Sequence, residues 1–169
     1  MREAEEARQL LAQQKYKDAG DVLDSLLTLQ KENDELWYLR GIVSLKMKSY
    51  DAAQEYFERA IFLRKKAEYY KMKGMAHFEI FELGAAVDCF LASLTLQPAD
   101  AISHFFLATC YMLLDDPRSD EHIKKAHEID AKKTKQLLSN FYALFLQNDP
   151  RLSDAQKRKI QDRIKKIRS

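Results

Sequence analysis

Histidine side chains are the residues of this chain that could bind a metal ion. There are four of them, His77, His104, His122 and His127. Zinc motifs place their ligands at short, fixed spacings, whereas a separation of five residues sets His122 and His127 on different parts of a helix surface. We therefore predict no metal site, and we expect His122 and His127 to face solvent.

Two cysteines, Cys89 and Cys110, complete the inventory of reactive side chains. Both stand in apolar helical contexts without a CxxC pair, which predicts small core residues in a reducing, cytoplasmic setting. The sequence also contains no glycine-rich phosphate loop and no GxSxG motif. These observations predict a non-enzymatic protein with no catalytic residue and no cofactor.

The composition favours helices throughout the chain. Of 169 residues, 46% are hydrophobic and 32% are charged, but only 4 are glycine and 3 are proline. So few turn-forming residues argue against a many-stranded sandwich or barrel. No segment approaches the roughly 20 apolar residues that a membrane span needs. We expect an all-α protein without a membrane span.

A period of 33 or 34 residues runs through the first 130 positions. Its second and third copies align small and aromatic residues in the same order: Trp37, Gly41, Tyr50, Ala53, Phe57 and Ala60 with Tyr70, Gly74, Leu83, Ala86, Phe90 and Ser93. The first copy contains Ala7, Leu10, Tyr16, Ala19, Leu23 and Leu26. The fourth, with one residue fewer in its turn, contains His104, Ala108, Tyr111, Ser119, Ile123 and Ala126. A fixed period of this size predicts stacked helix pairs.

At these residues the chain resembles the tetratricopeptide repeat family, whose 34-residue pattern sets Gly or Ala at position 8 and aromatics at positions 4 and 24. The resemblance implies an all-α, right-handed superhelical array (an alpha-solenoid) of antiparallel helix pairs. We place about four units at residues 1–33, 34–66, 67–100 and 101–130. Residues 131–169 are predicted to be a helix pair that caps the array. Its helices should span 132–147 and 154–167, the second with Ser153 as N-cap.

The resemblance also implies a binding surface. In the family, side chains on the first helix of each repeat line a concave groove that binds ligands. Relatives that clamp the C-terminal carboxylate of chaperones use Lys, Asn and Arg at some of these positions, where this chain has apolar residues. We therefore expect an apolar helix or peptide of a partner protein as ligand. The expected partner-binding residues are Tyr38, Leu39, Ile42, Leu45, Met72, Met75, Phe78, Ile102, Phe105, Phe106 and Met112.

Three functions remain open from the sequence. The favoured one is a protein-binding adaptor of chaperone-like character, because length, repeat number and apolar groove are similar to those of the class II chaperones of type III secretion. The first alternative is a self-associating homodimeric scaffold whose groove is packed internally or under helix 132–147. The other depends on residues 151–169, which carry eight bases and two acids, a net +6 that leaves −4 for residues 1–150. This tail could bind nucleic acid or an anionic surface, but we favour a solvated capping helix, which presents one apolar stripe to the last repeat and a charged face to solvent.

Overall fold

The structure is a computed structural model that describes residues 2–141, 147 and 149–168. Within these ranges the ordered elements are α-helices, and they pack as sequential pairs, which confirms the predicted fold class. The helices are α1 (Arg2–Ala12), α2 (Tyr16–Leu29), α3 (Asp34–Lys46), α4 (Tyr50–Leu63), α5 (Ala67–Glu79), α6 (Leu83–Leu96), α7 (Ala101–Leu113), α8 (Arg118–Ile129), α9 (Ala131–Asn140) and α10 (Asp154–Arg168).

The chain divides into two compact units, Met1–Leu96 and Gln97–Ser169, called unit 1 and unit 2 below. In unit 1 the helices pair as α1 with α2, α3 with α4, and α5 with α6. In unit 2, α7 pairs with α8, α9 contacts both of them, and α10 contacts α7. The first helix of each pair is the one that was expected to carry binding residues.

Two helix pairs of unit 1, α3 with α4 and α5 with α6, pack closely where a glycine of the first helix meets an aromatic ring of the second. A Cβ added to Gly41 of α3 would lie 2.5 Å from the ring of Phe57 on α4, and one added to Gly74 of α5 would lie 3.0 Å from the ring of Phe90 on α6. Both phenylalanines are completely buried. Close helix approach therefore depends on the missing side chains at positions 41 and 74.

The turn inside each helix pair uses one backbone conformation throughout. The N–H of Lys48 donates to the Leu45 carbonyl at 3.1 Å, and the N–H of Ser49 donates to the Ser44 carbonyl at 2.9 Å, which is the hydrogen bonding of a Schellman motif. The same pair of bonds closes α1, α5 and α7. Each motif contains one residue with positive φ: Gln14, Lys48, Phe81 and Asp115.

The fourth pair is one residue shorter after this turn, as the repeat alignment implied. Five positions separate Lys48 from the buried Ala53, but only four separate Asp115 from the buried Ser119. Ile123 and Ala126 are buried in the same shifted frame. The deletion therefore shortens the start of α8 and preserves the face that packs.

The C-terminal helices follow the sequence prediction where the structure describes them. α9 covers the first part of the predicted 132–147 helix, and residues 142–146 lie outside the described residues. Ser153 precedes α10, and its Oγ accepts from the Gln156 N–H at 3.3 Å while Gln156 Oε1 accepts from the Ser153 N–H at 2.9 Å. This reciprocal pair is a capping box, so the predicted N-cap is confirmed.

Candidate protein-binding surface

The side chains suited to metal or nucleophilic chemistry differ in burial: Cys110 and His104 are buried, and His127 is exposed. Among the described residues, no group of three or more His, Cys, Asp or Glu is arranged to hold a metal ion. Burial raises the pKa of the Cys89 thiol to about 11 and that of the Cys110 thiol to about 12. Both thiols therefore stay protonated near neutral pH, and reactivity through a thiolate is suppressed.

One prediction about the histidines was wrong. His127 is exposed as expected, but His122 is half-buried and lies against His104 of α7, with the two Nδ1 atoms 2.9 Å apart. The helical spacing of His122 and His127 could not reveal this contact, because His104 lies on another helix.

The eleven residues expected to bind a partner differ in their burial. Four of them contribute to the core: Leu39, Phe78, Phe105 and Met112. Seven are half-buried and keep part of their surface exposed: Tyr38, Ile42, Leu45, Met72, Met75, Ile102 and Phe106. A binding surface can use only the exposed parts of these side chains.

In unit 1 most of the half-buried residues expected to bind a partner pack on the same core residues. Tyr38, Ile42, Leu45 and Met72 all pack against a core formed by Ala53, Phe57 and Ala76. Met75 lies three residues after Met72 on α5, on the same side of the helix. We call Tyr38, Ile42, Leu45, Met72 and Met75 the unit 1 apolar face.

Hydrogen bonds fix the orientation of Tyr38 at the edge of the unit 1 apolar face. Its ring stacks on Tyr69 with centroids 4.7 Å apart, and its hydroxyl donates to Glu68 at 2.6 Å. Burial, with the neighbouring Glu68 carboxylate, raises the pKa of Tyr38 far above its ordinary value. The phenol therefore stays neutral and remains a fixed hydrogen-bonding group.

Tyr69 continues the same network toward the start of α3. Its hydroxyl donates to Asp34 at 2.6 Å and accepts from the Lys66 ammonium at 2.8 Å, while Lys66 also contacts Asp34 at 2.7 Å. Burial, together with the hydrogen bond to Asp34, raises the pKa of Tyr69 to about 12. The repeat alignment assigned no role to Tyr69, although its equivalents Leu36 and Ser103 are buried too.

In unit 2 the chain's own C-terminal segment covers part of the expected binding surface. The ring of Phe105 meets that of Phe141 edge-on at 6.4 Å. Met112 lines a cavity of about 190 Å³ together with Leu152 and Ile160, which lie before and within α10. These contacts agree with the internally packed alternative for this part of the surface.

A second aromatic site in unit 1 was not anticipated. The rings of Trp37 and Tyr56 stack at 5.9 Å, and the guanidinium of Arg40 lies 4.9 Å above Tyr56 while pairing with Asp24 at 2.7 Å. The aromatic pair borders an open cavity of about 330 Å³. In the sequence Trp37 is one of the aligned repeat positions, so its open side gave no separate signal.

The tetratricopeptide repeat model matches residues 3–76. The region of the chain that matches this family spans α1 to α4 and most of α5. This family consists of helical scaffolds for protein–protein interaction that are typically non-catalytic. No curated protein sequence matches the chain.

Solved structures of other repeat proteins share the fold. MamA residues 41 to the end, from Desulfovibrio magneticus RS-1, superimposes with a TM-score of 0.71 at 23% identity, covering 78% of this chain and 75% of that one. Another MamA structure gives a TM-score of 0.72 at 19% identity and covers 96% of both chains. The first repeat domain of Spaghetti, bound to the HSP90 peptide SRMEEVD, gives 0.66 at 21% identity, with coverage of 68% and 91%.

Likeness at these identities establishes the fold of this repeat protein and not its ligand.

In the parts of the chain that the structure describes, none of the helices is long and apolar enough to cross a membrane.

Proposed function

We propose that this repeat protein is an adaptor that binds an apolar helix or peptide of a partner protein, and that the unit 1 apolar face is the contact surface. The observation that carries the proposal is the half-burial of Tyr38, Ile42, Leu45 and Met72 on one supporting core. The supporting core holds these side chains in place, and part of their apolar surface stays exposed. Such a surface suits the insertion of apolar side chains from an amphipathic helix.

The composition of the face supports a ligand without a fixed sequence. Met72 and Met75 are unbranched and polarisable, so they can adapt to apolar side chains of different shapes. The shielding of variable apolar segments is a chaperone-like task. We assign the protein to the cytoplasm because its two cysteines are unpaired.

The size of the face sets the expected affinity. Full burial of an apolar side chain contributes about 1.5–3 kcal/mol, and these side chains, which are already mostly buried, have about a third of that or less left to gain. Five of them therefore supply at most about 2.5–5 kcal/mol, which is similar to the cost of association, about 4 kcal/mol or more. A peptide that touches only this face should bind with a Kd weaker than about 1 μM.

The experiment is a binding titration with a panel of labelled amphipathic peptides whose apolar residues recur at i, i+3, i+4 and i+7. The test variant is Met75→Glu, and the matched control is Leu91→Glu, because Leu91 is an exposed apolar residue of α6. We expect wild type and Leu91→Glu to bind the same peptides and Met75→Glu to lose them. Equal binding by all three, with circular dichroism showing equal helicity, would reject the assigned face.

Self-association is a second candidate, because two large apolar side chains of unit 1 protrude into solvent. Leu29 is 83% exposed at the end of α2, and Phe62 is 76% exposed near the end of α4. If they form a homodimer interface, the sedimentation mass should fall on dilution, and the double variant Leu29→Ser, Phe62→Ser should be monomeric at every concentration. A wild type that stays monomeric at high concentration would dispose of this candidate.

A further inference from the structure

His104 of α7 and His122 of α8 form a buried contact within unit 2. Their Nδ1 atoms are 2.9 Å apart, and their rings stack with centroids separated by 5.2 Å and planes inclined by 27°. His104 is 7% exposed. Its second nitrogen, Nε2, lies 3.0 Å from the carbonyl oxygen of Pro98, in the segment that precedes α7.

The hydrogen-bonding partners determine where the protons lie. A carbonyl oxygen only accepts, so Nε2 of His104 must donate to Pro98. A neutral imidazole carries one N–H, which leaves Nδ1 of His104 as an acceptor. Nδ1 of His122 must then donate to it. Two hydrogen bonds in series therefore connect α8 to α7 and α7 to Pro98.

Charged groups of both signs face the two rings. Arg118 and Lys125 oppose a positive charge on the pair, while Asp100 and Glu121 favour one. Both acids already have partners: Glu121 accepts from Lys125 at 2.5 Å, and Asp100 accepts from the Ser103 N–H at 3.3 Å as the N-cap of α7.

The aromatic neighbour of His122 does not favour its protonation either. The ring of Tyr111 lies 5.7 Å from that of His122, and the guanidinium of Arg118 already lies 4.2 Å from the same tyrosine ring. Burial is the main cause that lowers the pKa of both His104 and His122, and the positive charge of one histidine lowers that of His122 further. The folded protein therefore favours two neutral rings.

We propose that His104 and His122 form an acid-sensitive latch whose Nδ1–Nδ1 hydrogen bond links α8 to α7 while both rings are neutral and is lost when both are protonated. A first proton can enter at Nε2 of His122 and leave the Nδ1–Nδ1 hydrogen bond intact. A second proton, at Nδ1 of His104, leaves an N–H on both Nδ1 atoms. Neither atom can then accept a hydrogen bond, so that bond breaks. The latch is independent of the proposed binding face, whose residues all belong to unit 1.

The pH range follows from the lowered pKa values. Between pH 6.5 and the lower pKa of the folded state, the two imidazoles bind protons in the unfolded chain but not in the folded chain. The stabilising effect of neutral rings is therefore complete above about pH 6.5 and is lost as the pH falls below that value.

The test is urea unfolding of the full chain at pH 7.5 and pH 5.5. His122→Asn keeps an N–H donor near the position of Nδ1 but cannot titrate, and His127→Asn on the same helix controls for the loss of an exposed histidine. We expect the unfolding constant of wild type and of His127→Asn to rise more on acidification than that of His122→Asn. Within this pH range the excess reaches at most about tenfold, because His122→Asn removes only the response of His122 and the ordinary pKa of about 6.5 lies one unit above the lower pH.

Two results would overturn the latch. One is an equal pH response of wild type and His122→Asn. The other is an NMR titration of the wild-type imidazole protons in which both His104 and His122 titrate at or above pH 6.5. The second measurement needs no variant, so it decides the question even if His122→Asn fails to fold.

Discussion

The ring of Phe57 occupies the space that a side chain at position 41 would need. A Cβ on Gly41 would lie 2.5 Å from Cε1 and 2.7 Å from Cδ1 of that ring. The ring cannot move aside, because Phe57 is completely buried and belongs to the core that supports the unit 1 apolar face. The absence of one side chain on α3 thus determines how closely α4 approaches.

Gly41→Ala should therefore destabilise the protein by about 1–3 kcal/mol, the usual cost of an overpacked core. The substitution forces the backbone of α3 away from the enclosed Phe57 ring, and this cost outweighs the higher helix propensity of alanine. Chemical denaturation of the purified variant measures the difference.

Gly84→Ala is the matched control, because a Cβ at position 84 of α6 meets nothing within 4 Å. It should leave stability unchanged or increase it by up to about 1 kcal/mol. Equal losses for Gly41→Ala and Gly84→Ala would contradict the packing argument.

Lys48→Gly should stabilise the protein. Lys48 has a φ of 60°, a conformation that costs a residue with a Cβ about 1–2 kcal/mol and glycine almost nothing. The greater freedom of glycine in the unfolded chain offsets part of the gain, so we expect about 0.5–1 kcal/mol from thermal or urea unfolding. Lys48→Ala removes the same side chain but keeps the Cβ, and it should give no such gain; a gain of equal size would show that backbone strain is not the cause.

The repeat period made the helix pairs predictable, because each packing position recurs with the same residue type. Gly41 and Gly74 are small because an aromatic ring lies against them, and the sequence shows both partners. The positive-φ turns were not predictable in the same way. Glycine is the usual signal for that conformation, and Gln14, Lys48, Phe81 and Asp115 occupy it instead.

Burial within the predicted binding surface was harder to foresee. Helical spacing places Phe105 and Met112 on the first helix of their repeat, but it does not show that Phe141 and Ile160 return to meet them. The contact of His104 with His122 was missed for the same reason. Local periodicity predicts the face on which a residue lies and says little about distant segments that cover it.

Ile160→Ala should weaken the packing of α10 in unit 2 far more than Lys159→Ala at the preceding position. Ile160 is 4% exposed and lines the cavity beside Met112, so its truncation should cost about 2–5 kcal/mol. The ion pair of Lys159 with Asp115 is exposed on both sides and contributes about 0–1 kcal/mol. Limited proteolysis with trypsin should cleave the basic α10 faster in Ile160→Ala and at about the wild-type rate in Lys159→Ala; similar rates for both variants would mean that Ile160 does not hold the helix.

Asp34 should contribute stability that acid removes. Its burial acts to raise its pKa, but the hydrogen bonds from Lys66 and Tyr69 outweigh this effect and hold the pKa below its ordinary value of 3.8. A carboxylate of this kind stabilises the folded state above the pKa of the unfolded chain, and the contribution disappears as the pH falls through the folded pKa. In urea unfolding, Asp34→Asn should therefore lose less stability than wild type between pH 5 and pH 3.

Asp51→Asn removes one carboxylate from an exposed position at the start of α4 and controls for the change in net charge. The response of Asp34→Asn is judged against that of this variant. Tyr69→Phe tests separately the two contacts that Asp34 makes. It removes only the hydroxyl of Tyr69 and leaves the contact of Lys66 with Asp34. It should cost about 0.5–1.5 kcal/mol at neutral pH and retain part of the acid response. If Asp34→Asn and wild type lose stability in parallel, the network around Tyr69 is held by packing and not by the charge of Asp34.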